Sequence, residues 1–295
     1  MTYNECEAWA QRQLAEVETA LETLVPADGP AGLGEAMRYA VLDGGKRLRP
    51  LLVLAAAEAV QGHRGAALRA AAAVELIHAY SLVHDDMPCM DDDALRRGKP
   101  TVHVRYGEAQ AMLAGDAMQA LAFEVLTPDD GVEPALQARL VSLLARASGC
   151  AGMAGGQAID LASVGKPLDE VTLRDMHRRK TGALLQASVL MGAACGRTDA
   201  AAWAALSEYG DAIGLAFQVV DDILDVTQDS EVLGKTAGKD LDHNKPTYVS
   251  VLGLEAARAY AVALRDQAQA ALARAGLAAP ARLAWLADKL VDRNS

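Results

Sequence analysis

The sequence predicts an all-α protein, and its composition and periodicity lead to this expectation. Alanine and leucine dominate the 295 residues, while aromatic residues make up only 4% of them. Helices favour Ala, Leu, Glu and Arg, whereas strands favour β-branched and aromatic side chains. Apolar residues also recur at helical spacing along nearly the whole chain. We therefore exclude an all-β fold and expect a bundle of about ten or more helices.

Short stretches that contain Gly and Pro divide the periodic sequence into separate helices. We predict helices over residues 3–24, 32–42, 46–60, 66–87, 108–127, 133–150, 152–162, 169–195, 199–226, 246–273 and 280–292. No long polar linker and no internal repeat of about 20 to 50 residues interrupts this order. The sequence therefore predicts that residues 1–295 form a single domain.

Charge and cysteine usage limit the classes of protein to consider. The formal net charge is −11, whereas a general nucleic-acid binder needs a basic face. The cysteines Cys6, Cys89, Cys150 and Cys195 are scattered and form no CxxC pair, which fits a reducing compartment. No signal peptide is visible, and the longest uncharged run, residues 181–196, is too short to cross a bilayer. We therefore expect a soluble cytoplasmic protein.

Two apolar helices are each followed by a cluster of aspartates, and this conflict between burial and charge is the most informative feature of the sequence. Segments 66–84 and 212–220 are apolar on most sides, which is typical of helices in the middle of a bundle. Aspartate-rich segments follow them at 85–93 and 221–225. Each cluster therefore begins where a buried helix is expected.

The spacing of the aspartates predicts which carboxylates lie together. Asp221 and Asp225 are four residues apart, so they share one helix face. Asp85 and Asp91 are six residues apart, which on a regular helix would aim them in different directions. Because Pro88 breaks the helix between them, we expect the chain to bend and return Asp91 towards Asp85.

A solvated acidic surface is the simpler interpretation of any single cluster, since like charges on an exposed helix face cost only a few tenths of a kcal/mol. At a partly buried helix end, two carboxylates about 6 Å apart repel by about 3 kcal/mol at an effective dielectric constant near 20. Two clusters that follow two apolar helices therefore favour a bound cation. Hard oxygen ligands on opposed helices suit Mg²⁺ that bridges to a phosphate-rich substrate.

Basic residues lie in short motifs that would match such a substrate. Segment 44–50 opens a helix, where backbone N–H groups favour an anion, and its Lys46 and Arg49 can face the same side. His78 lies seven residues before Asp85 on the same helix and is a candidate phosphate donor. Further candidates are Arg96, Arg97, Lys180, Lys235 and Lys245. Each alone would be a solvated charge or a helix start; their pairing with the acidic clusters favours phosphate binding.

These motifs resemble those of the trans-type isoprenyl diphosphate synthases, and most closely those of the bacterial farnesyl diphosphate synthases. The segments that carry the resemblance are 44–50 (GGKRLRP), 81–98 with the first aspartate motif, 155–157 (GGQ), 180–182 (KTG) and 217–225 with the second aspartate motif. The two aspartate motifs together are specific, and the resemblance extends from about residue 30 to the C-terminus. It implies the isoprenoid synthase fold, in which helices surround a central cavity.

The resemblance also implies the residues of the site. Three Mg²⁺ ions would be held by Asp85, Asp86, Asp91 and Asp221, with Asp222 and Asp225 acting through water or an outer shell. The implied contacts of the allylic diphosphate are Arg96, Lys180, Lys235 and Lys245. The implied contacts of isopentenyl diphosphate are Gly45, Lys46, Arg49, His78 and Arg97. The implied catalytic residues are Lys180, Thr181 and Gln218, of which the last two would face the allylic carbon.

The implied reaction is a Mg-dependent, sequential head-to-tail condensation of isopentenyl diphosphate with dimethylallyl and then geranyl diphosphate. Metal ions and basic residues stabilise the departing diphosphate, so no side-chain nucleophile is needed. In the family, residues just before the first aspartate form the floor of the hydrocarbon tunnel. Here these are Tyr80 and Ser81, roughly 6–8 Å from Asp85 at 1.5 Å per residue. The bulk of Tyr80 predicts a fifteen-carbon product, farnesyl diphosphate.

Other functions stay open at this point. A geranylgeranyl or geranyl diphosphate synthase would share the chemistry and differ in product length. A class I terpene cyclase normally carries Asn/Asp, Ser/Thr and Glu in its second metal motif, unlike segment 221–225. His84 and Asp85 suggest an HD-type metal phosphohydrolase, but the other histidines show no evident ligand spacing. A non-catalytic regulatory subunit usually lacks one aspartate motif, and both are present here.

The family is usually homodimeric, and the predicted helix 108–127 offers an apolar stripe for an interface. The residues of this stripe are Met112, Leu113, Met118, Leu121 and Phe123. The same stripe would serve equally well as internal core.

Overall fold

The structure is a computed structural model that describes residues 2–42, 44–166, 168–227 and 247–292. Its helices are α1 (Tyr3–Leu24), α2 (Leu33–Val41), α3 (Leu48–Ala59), α4 (Arg64–Asp85), α5 (Val102–Tyr106), α6 (Glu108–Val125), α7 (Pro134–Ser148), α8 (Met153–Ser163), α9 (Glu170–His177), α10 (Ala183–Ala194), α11 (Ala200–Thr227), α12 (Tyr248–Leu252), α13 (Leu254–Arg274) and α14 (Ala281–Val291). A 3₁₀ turn spans Pro30–Gly32 and a π-helical segment spans Arg178–Gly182. Strands β1 (Leu95–Arg96) and β2 (Lys99–Pro100) pair antiparallel in a small hairpin. The predicted all-α fold is confirmed.

The observed helices depart from the predicted ones where single residues take unusual backbone conformations. Arg47 has a φ of +44°, so α3 begins at Leu48, two residues later than predicted. Gly253 has a φ of +84° and separates α12 from α13 inside the predicted helix 246–273. The predicted helix 169–195 consists of α9, the π-helical segment and α10. The short helix α5 and the hairpin were not predicted.

Helix α4 lies at the centre of the fold. Its alanines between residues 70 and 73 are fully buried, and α3, α6 and α10 pack around it. These small side chains let the neighbouring helices approach closely, because the distance between two packed helices depends on the size of the side chains at the contact. Helix α4 is long and apolar enough to cross a membrane, but 72% of its most apolar window is buried inside the fold. Its composition is therefore explained by packing against other helices.

Candidate active site

Two adjoining cavities, of about 370 and 280 Å³, share four lining residues from three elements. The shared residues are Arg49 of α3, His78 of α4, and Lys180 and Thr181 of the π-helical segment. The larger cavity also contains Asp85, and the smaller one contains Asp91 and Asp221. The structure therefore brings carboxylates from both aspartate motifs and several basic residues to one place between the helices.

The first aspartate motif bends back on itself where α4 ends. The backbone N–H of Asp91 donates to the carbonyl oxygen of Asp85 at 2.9 Å, and that of Asp92 donates to Met87 at 3.1 Å. Pro88 lies in this turn and is exposed. The predicted return of Asp91 towards Asp85 is therefore present in the structure.

The Asp85 carboxyl lies where negative charge is crowded. Burial is the main cause that raises its pKa to about 6; Lys180 opposes this shift and the nearby Asp91 adds to it. A carboxylate with a raised pKa is stabilised by any cation that approaches it. The environment of Asp85 thus favours binding of a positively charged partner.

Asp86 faces the hairpin and not the open cavity. Its carboxylate is buried and accepts from two donors of Arg96. The single N–H of Nε is shared between the two carboxylate oxygens at 2.8 and 2.9 Å, and Nη2 donates to Oδ1 at 2.5 Å. Burial raises the pKa of Asp86, and the hydrogen bond from Arg96 lowers it. Arg96, which the resemblance implies as a diphosphate contact, is here paired with Asp86. The two residues join the end of α4 to β1.

The carboxylates of the second aspartate motif differ in their contacts. Asp221 and Asp222 both line the smaller cavity, together with Asp91. Asp222 is buried and accepts hydrogen bonds from Nε2 of Gln218 at 2.8 Å and from the backbone N–H of Tyr248 at 2.7 Å. It therefore connects α11 to the first residue of α12. Asp225 is also buried, one turn further along α11.

The carboxylates fit Mg²⁺ that is held jointly by the protein and a substrate. Within the described residues, no three His, Cys, Asp or Glu side chains are grouped closely enough to hold a metal ion by themselves. Asp91 and Asp221 instead line one cavity together with the basic residues Arg49 and Lys180. Mg²⁺ commonly uses one or two carboxylates and takes its remaining ligands from water and phosphate oxygens. The carboxylates of this cavity match that coordination preference.

The π-helical segment aims Lys180 and Thr181 into the cavities. Nζ of Lys180 lies 2.6 Å from Oδ2 of Asp160, and Oγ1 of Thr181 donates to Oε1 of Gln218 at 3.1 Å. Gln218 in turn donates to Asp222, which fixes the orientation of its amide. A single π-helical turn inside a longer helix is frequent at functional sites. The ammonium group of Lys180 and the oriented amide of Gln218, on α11, thus line the same cavity.

Glycines allow α8 and α11 to approach this segment closely. A Cβ on Gly156 of the GGQ motif would lie 2.1 Å from the backbone nitrogen of Lys180. A Cβ on Gly214 would lie 2.6 Å from Cα of Gly182, the glycine of the KTG motif. Positions 156 and 214 therefore require glycine, which gives the GGQ motif a structural reason.

Arg49 and His78 form the other side of the cavities. Arg49 is only 9% exposed, and its Nε has no hydrogen-bond partner among the described residues. Burial lowers the pKa of Arg49 to about 10, so it stays charged at neutral pH. Burial and the nearby Arg49 lower the pKa of His78 well below its usual value, so its imidazole is neutral. A buried cation beside a neutral imidazole suits an anionic ligand.

Lys46 does not share the cavity of Arg49. Because Arg47 is not helical, Lys46 precedes α3 and lines another cavity of about 440 Å³, between α1 and α14. The expectation that the two basic residues face the same side of a helix is therefore wrong. Arg97 donates to the carbonyl of Gly44 at 2.6 Å, and a Cβ on Gly45 would lie 2.8 Å from its Nη2. This contact joins segment 44–46 to the hairpin.

Tyr80 and Ser81 line the larger cavity together with Asp85. Oγ of Ser81 donates to the backbone carbonyl of His78 at 2.8 Å, so it is engaged with its own helix. The hydroxyl of Tyr80 accepts a hydrogen bond from Nε2 of Gln119 at 3.3 Å. Lys235 and Lys245 lie outside the described residues.

Sequence reasoning did not single out Asp160 and His177 as residues of the site, and it named Gln157 only as part of the GGQ motif. Asp160 is 6% exposed and pairs with Lys180. Gln157 lines the larger cavity, and neither atom of its amide has a hydrogen-bond partner among the described residues. His177 is buried and stacks on Tyr248 at 5.4 Å. The sequence did contain a signal for Asp160, since a charged residue three positions after the GGQ motif, in an otherwise apolar helix, needs a partner.

Comparison with known proteins decides the family. Residues 30–275 match the model of the polyprenyl synthetase family. The chain belongs to the polyprenyl synthetase family. A probable farnesyl diphosphate synthase of Bradyrhizobium diazoefficiens is 49% identical, covering 96% of this chain and 86% of that protein. The chloroplastic geranylgeranyl pyrophosphate synthase 9 of Arabidopsis thaliana is 47% identical, covering 96% of this chain and 80% of that protein.

Solved structures agree with this assignment. A geranyltransferase from Helicobacter pylori, crystallised with magnesium and isoprenyl diphosphate, has a TM-score of 0.84 and 36% identity, covering 96% of this chain and 95% of that one. This polyprenyl synthetase is therefore a prenyltransferase with isoprenyl diphosphate synthase activity. The HD-type alternative is excluded, and His84 indeed points towards α6, with Nε2 3.1 Å from the carbonyl oxygen of Met112.

Proposed function

We propose that this polyprenyl synthetase makes farnesyl diphosphate by adding isopentenyl diphosphate first to dimethylallyl and then to geranyl diphosphate, with release of diphosphate at each step. The observation that carries the proposal is that Tyr80 and Asp85 line the same cavity. An allylic chain that grows from a diphosphate beside Asp85 would meet this buried ring. A bulky stop so near the aspartates favours a short product.

Mg²⁺ is the proposed cofactor, with three ions per site. Asp85, Asp91 and Asp221 would hold the ions, because these carboxylates lie in the cavities. Asp86, Asp222 and Asp225 would support them indirectly, since the first two are engaged with protein groups. When bound, Mg²⁺ neutralises charge on the diphosphate and makes it a better leaving group. The magnesium complex of the Helicobacter relative supports this choice.

The basic residues would divide between the two substrates. Lys180, held by Asp160 at 2.6 Å, would contact the allylic diphosphate, together with Arg96, Lys235 and Lys245. Arg49 and His78 would hold isopentenyl diphosphate. We propose the same role for Gly45, Lys46 and Arg97, with Lys46 reaching the diphosphate from the separate cavity that it lines. The buried charge of Arg49 and the neutral imidazole of His78 support this assignment, because one supplies charge and the other a hydrogen bond.

Thr181 and Gln218 would stabilise the positive charge that develops on the allylic carbon. Their oxygens point to each other at 3.1 Å, and the amide of Gln218 is fixed by Asp222. Oriented dipoles in a cavity stabilise charge without reorganising during the reaction. The double bond of isopentenyl diphosphate then attacks the cation, and the departed diphosphate accepts the proton.

The deciding experiment is the product profile with dimethylallyl diphosphate, isopentenyl diphosphate and Mg²⁺. We expect fifteen-carbon product from the unaltered enzyme and no condensation in EDTA. Tyr80→Ala should shift the product towards twenty carbons, because it removes the ring that stops chain growth. Chromatography of the dephosphorylated products measures both results.

A twenty-carbon product from the unaltered enzyme would make it a geranylgeranyl diphosphate synthase, the second candidate, which the similarity to the Arabidopsis enzyme supports. Fifteen-carbon product alone from Tyr80→Ala would show that this ring is not the stop. Turnover of single diphosphates without isopentenyl diphosphate would contradict both candidates.

We also propose that the chain is a single-domain, cytoplasmic homodimer. One continuous core runs from Cys6 to Val291 and supports a single domain, and four free cysteines fit a reducing compartment. Helix α6 would supply the interface, since Met112 and Leu113 on it are exposed. Met118 of the same predicted stripe is fully buried, so that residue belongs to the core.

A further inference from the structure

The tunnel floor is supported by a helix that contributes none of the residues lining the larger cavity within the described chain. Tyr80 and His84 lie one turn apart on α4, and both line that cavity. Behind them runs α6, which packs along α4. The side chains of Tyr80 and His84 therefore have one face towards the cavity and their polar atoms towards α6.

The contacts between these helices involve residues of α6 at helical spacing. Nε2 of Gln119 donates to the hydroxyl of Tyr80 at 3.3 Å. Nε2 of His84 lies 3.1 Å from the carbonyl oxygen of Met112. A Cβ on Gly115 would lie only 2.1 Å from the same His84 nitrogen, so the imidazole occupies the space that this glycine leaves.

The two rings also restrain each other. The centroids of Tyr80 and His84 are 5.7 Å apart, and the rings meet edge to face at 74°. Tyr80 is thus held at its hydroxyl by Gln119 and at its ring by His84, and His84 is held by α6 at Gly115. A ring fixed at both ends cannot rotate out of the path of a growing chain without breaking one of these contacts.

We propose that Gln119 is a specificity-determining positioning residue, which sets product length by holding the Tyr80 ring across the tunnel. The inference rests on the proposed function, because it assumes that Tyr80 stops the chain. Gln119 lines neither of the two adjoining cavities and would act only through Tyr80. Its loss leaves the ring in place but free to swing, which lets some fifteen-carbon chains accept another unit.

The test replaces the hydrogen bond from either side. Gln119→Leu keeps the size of the side chain and removes the donor, whereas Tyr80→Phe keeps the ring and removes the acceptor. Each should raise the ratio of twenty-carbon to fifteen-carbon product about fivefold, the factor that corresponds to one hydrogen bond of ordinary net strength. Because both variants remove the same bond, the double variant should exceed neither single one. Gln119→Glu should keep the original ratio, since its carboxylate accepts from the Tyr80 hydroxyl.

A matched control is available on the same helix. Gln110 also donates a 3.3 Å hydrogen bond, to the carbonyl oxygen of Ala31, at a position remote from Tyr80. Gln110→Leu should leave the product ratio unchanged. In Gln119→Leu, the kcat and KM for the first condensation, of dimethylallyl with isopentenyl diphosphate, should be unchanged. The product of that step has ten carbons, and the Tyr80 ring limits growth only beyond fifteen.

The inference is overturned if Gln119→Leu gives the original product ratio, or if Gln110→Leu shifts it equally. Tyr80→Ala separates this failure from that of the proposed function. If Tyr80→Ala lengthens the product and Gln119→Leu does not, only the role of α6 is wrong. If neither does, the position of the stop itself is wrong.

Discussion

Arg47 shows at the scale of one residue how the chain fixes the segment that begins α3. It is 4% exposed, and its guanidinium lies 2.7 Å from Glu75 of α4 and 2.7 Å from Glu18 of α1. Arg47 lies between Lys46 and Arg49 in the sequence. Because its φ is positive, the helix α3 begins at the next residue, Leu48. Arg47 thus ties the segment to helices α1 and α4.

Breaking this buried ion pair should destabilise the protein strongly. Arg47→Met leaves the Glu75 carboxylate buried without its hydrogen-bonded cation, and we expect the free energy of unfolding to fall by about 3–5 kcal/mol. The double variant Arg47→Met/Glu75→Leu should recover part of that loss, because the Glu75 carboxylate is no longer buried without its partner, although the buried Arg49 loses a nearby carboxylate. Denaturation in urea measures both, and a single variant as stable as the unaltered protein would disprove the role.

Helix α8 shows at the scale of an element how close packing positions the π-helical segment. It crosses the π-helical segment at Gly156, where a Cβ would lie 2.1 Å from the backbone nitrogen of Lys180. That crossing also brings Asp160 of α8 to the ammonium group of Lys180. The glycine and the aspartate, four residues apart on one helix face, together set the position of Lys180.

Gly156→Ala therefore tests packing against helix propensity. Propensity alone predicts a gain of about 1 kcal/mol in the free energy of unfolding. Overpacking against the backbone costs about 1–3 kcal/mol, and we expect this cost to exceed the gain, so that the free energy of unfolding falls. We also expect a lower kcat, because Lys180 is displaced. Thermal unfolding and steady-state kinetics measure the two effects. Ala162→Gly, at an exposed position of α8, is the control that changes propensity only; a stabilised Gly156→Ala would refute the packing argument.

The stability of the whole molecule should depend on pH through His177. Burial is the main cause that lowers the pKa of His177 to about 4, from 6.5 when it is exposed. Between these values the unfolded chain binds more protons than the folded one, so His177 makes stability rise with pH. Burial raises the pKa of Asp85 to about 6, which gives the opposite slope above 3.8. A variant is therefore needed to separate the two.

His177→Phe keeps an aromatic ring for stacking on Tyr248 and removes the titration. As the pH falls from 7 to 4, we expect the unaltered protein to lose up to about 3 kcal/mol more of its unfolding free energy than the variant does. Urea denaturation across this range measures the difference. Parallel curves for the two proteins would show that His177 is protonated equally in the folded and unfolded states.

The sequence predicted the helical fold and the bend at Pro88, because periodicity and a helix-breaking residue are local properties. It did not predict that Arg47 takes a left-handed conformation, since burial between Glu18 and Glu75 imposes it. The π-helical segment was not predicted either, because five residues inside a longer helix are too few to change its apolar period. The pairing of Asp86 with Arg96 depends on the fold of the hairpin, which sequence spacing does not determine.

The position of Tyr80 has an evolutionary consequence. On the proposed function, ionisation depends on Asp85, Lys180 and their neighbours, whereas the end of the tunnel depends on contacts between α4 and α6. Natural selection can thus alter which isoprenoid is made through substitutions on α6, while the reacting groups are conserved. Divergence of product within one lineage then requires few mutations, and relatives of nearly equal similarity carry both product names.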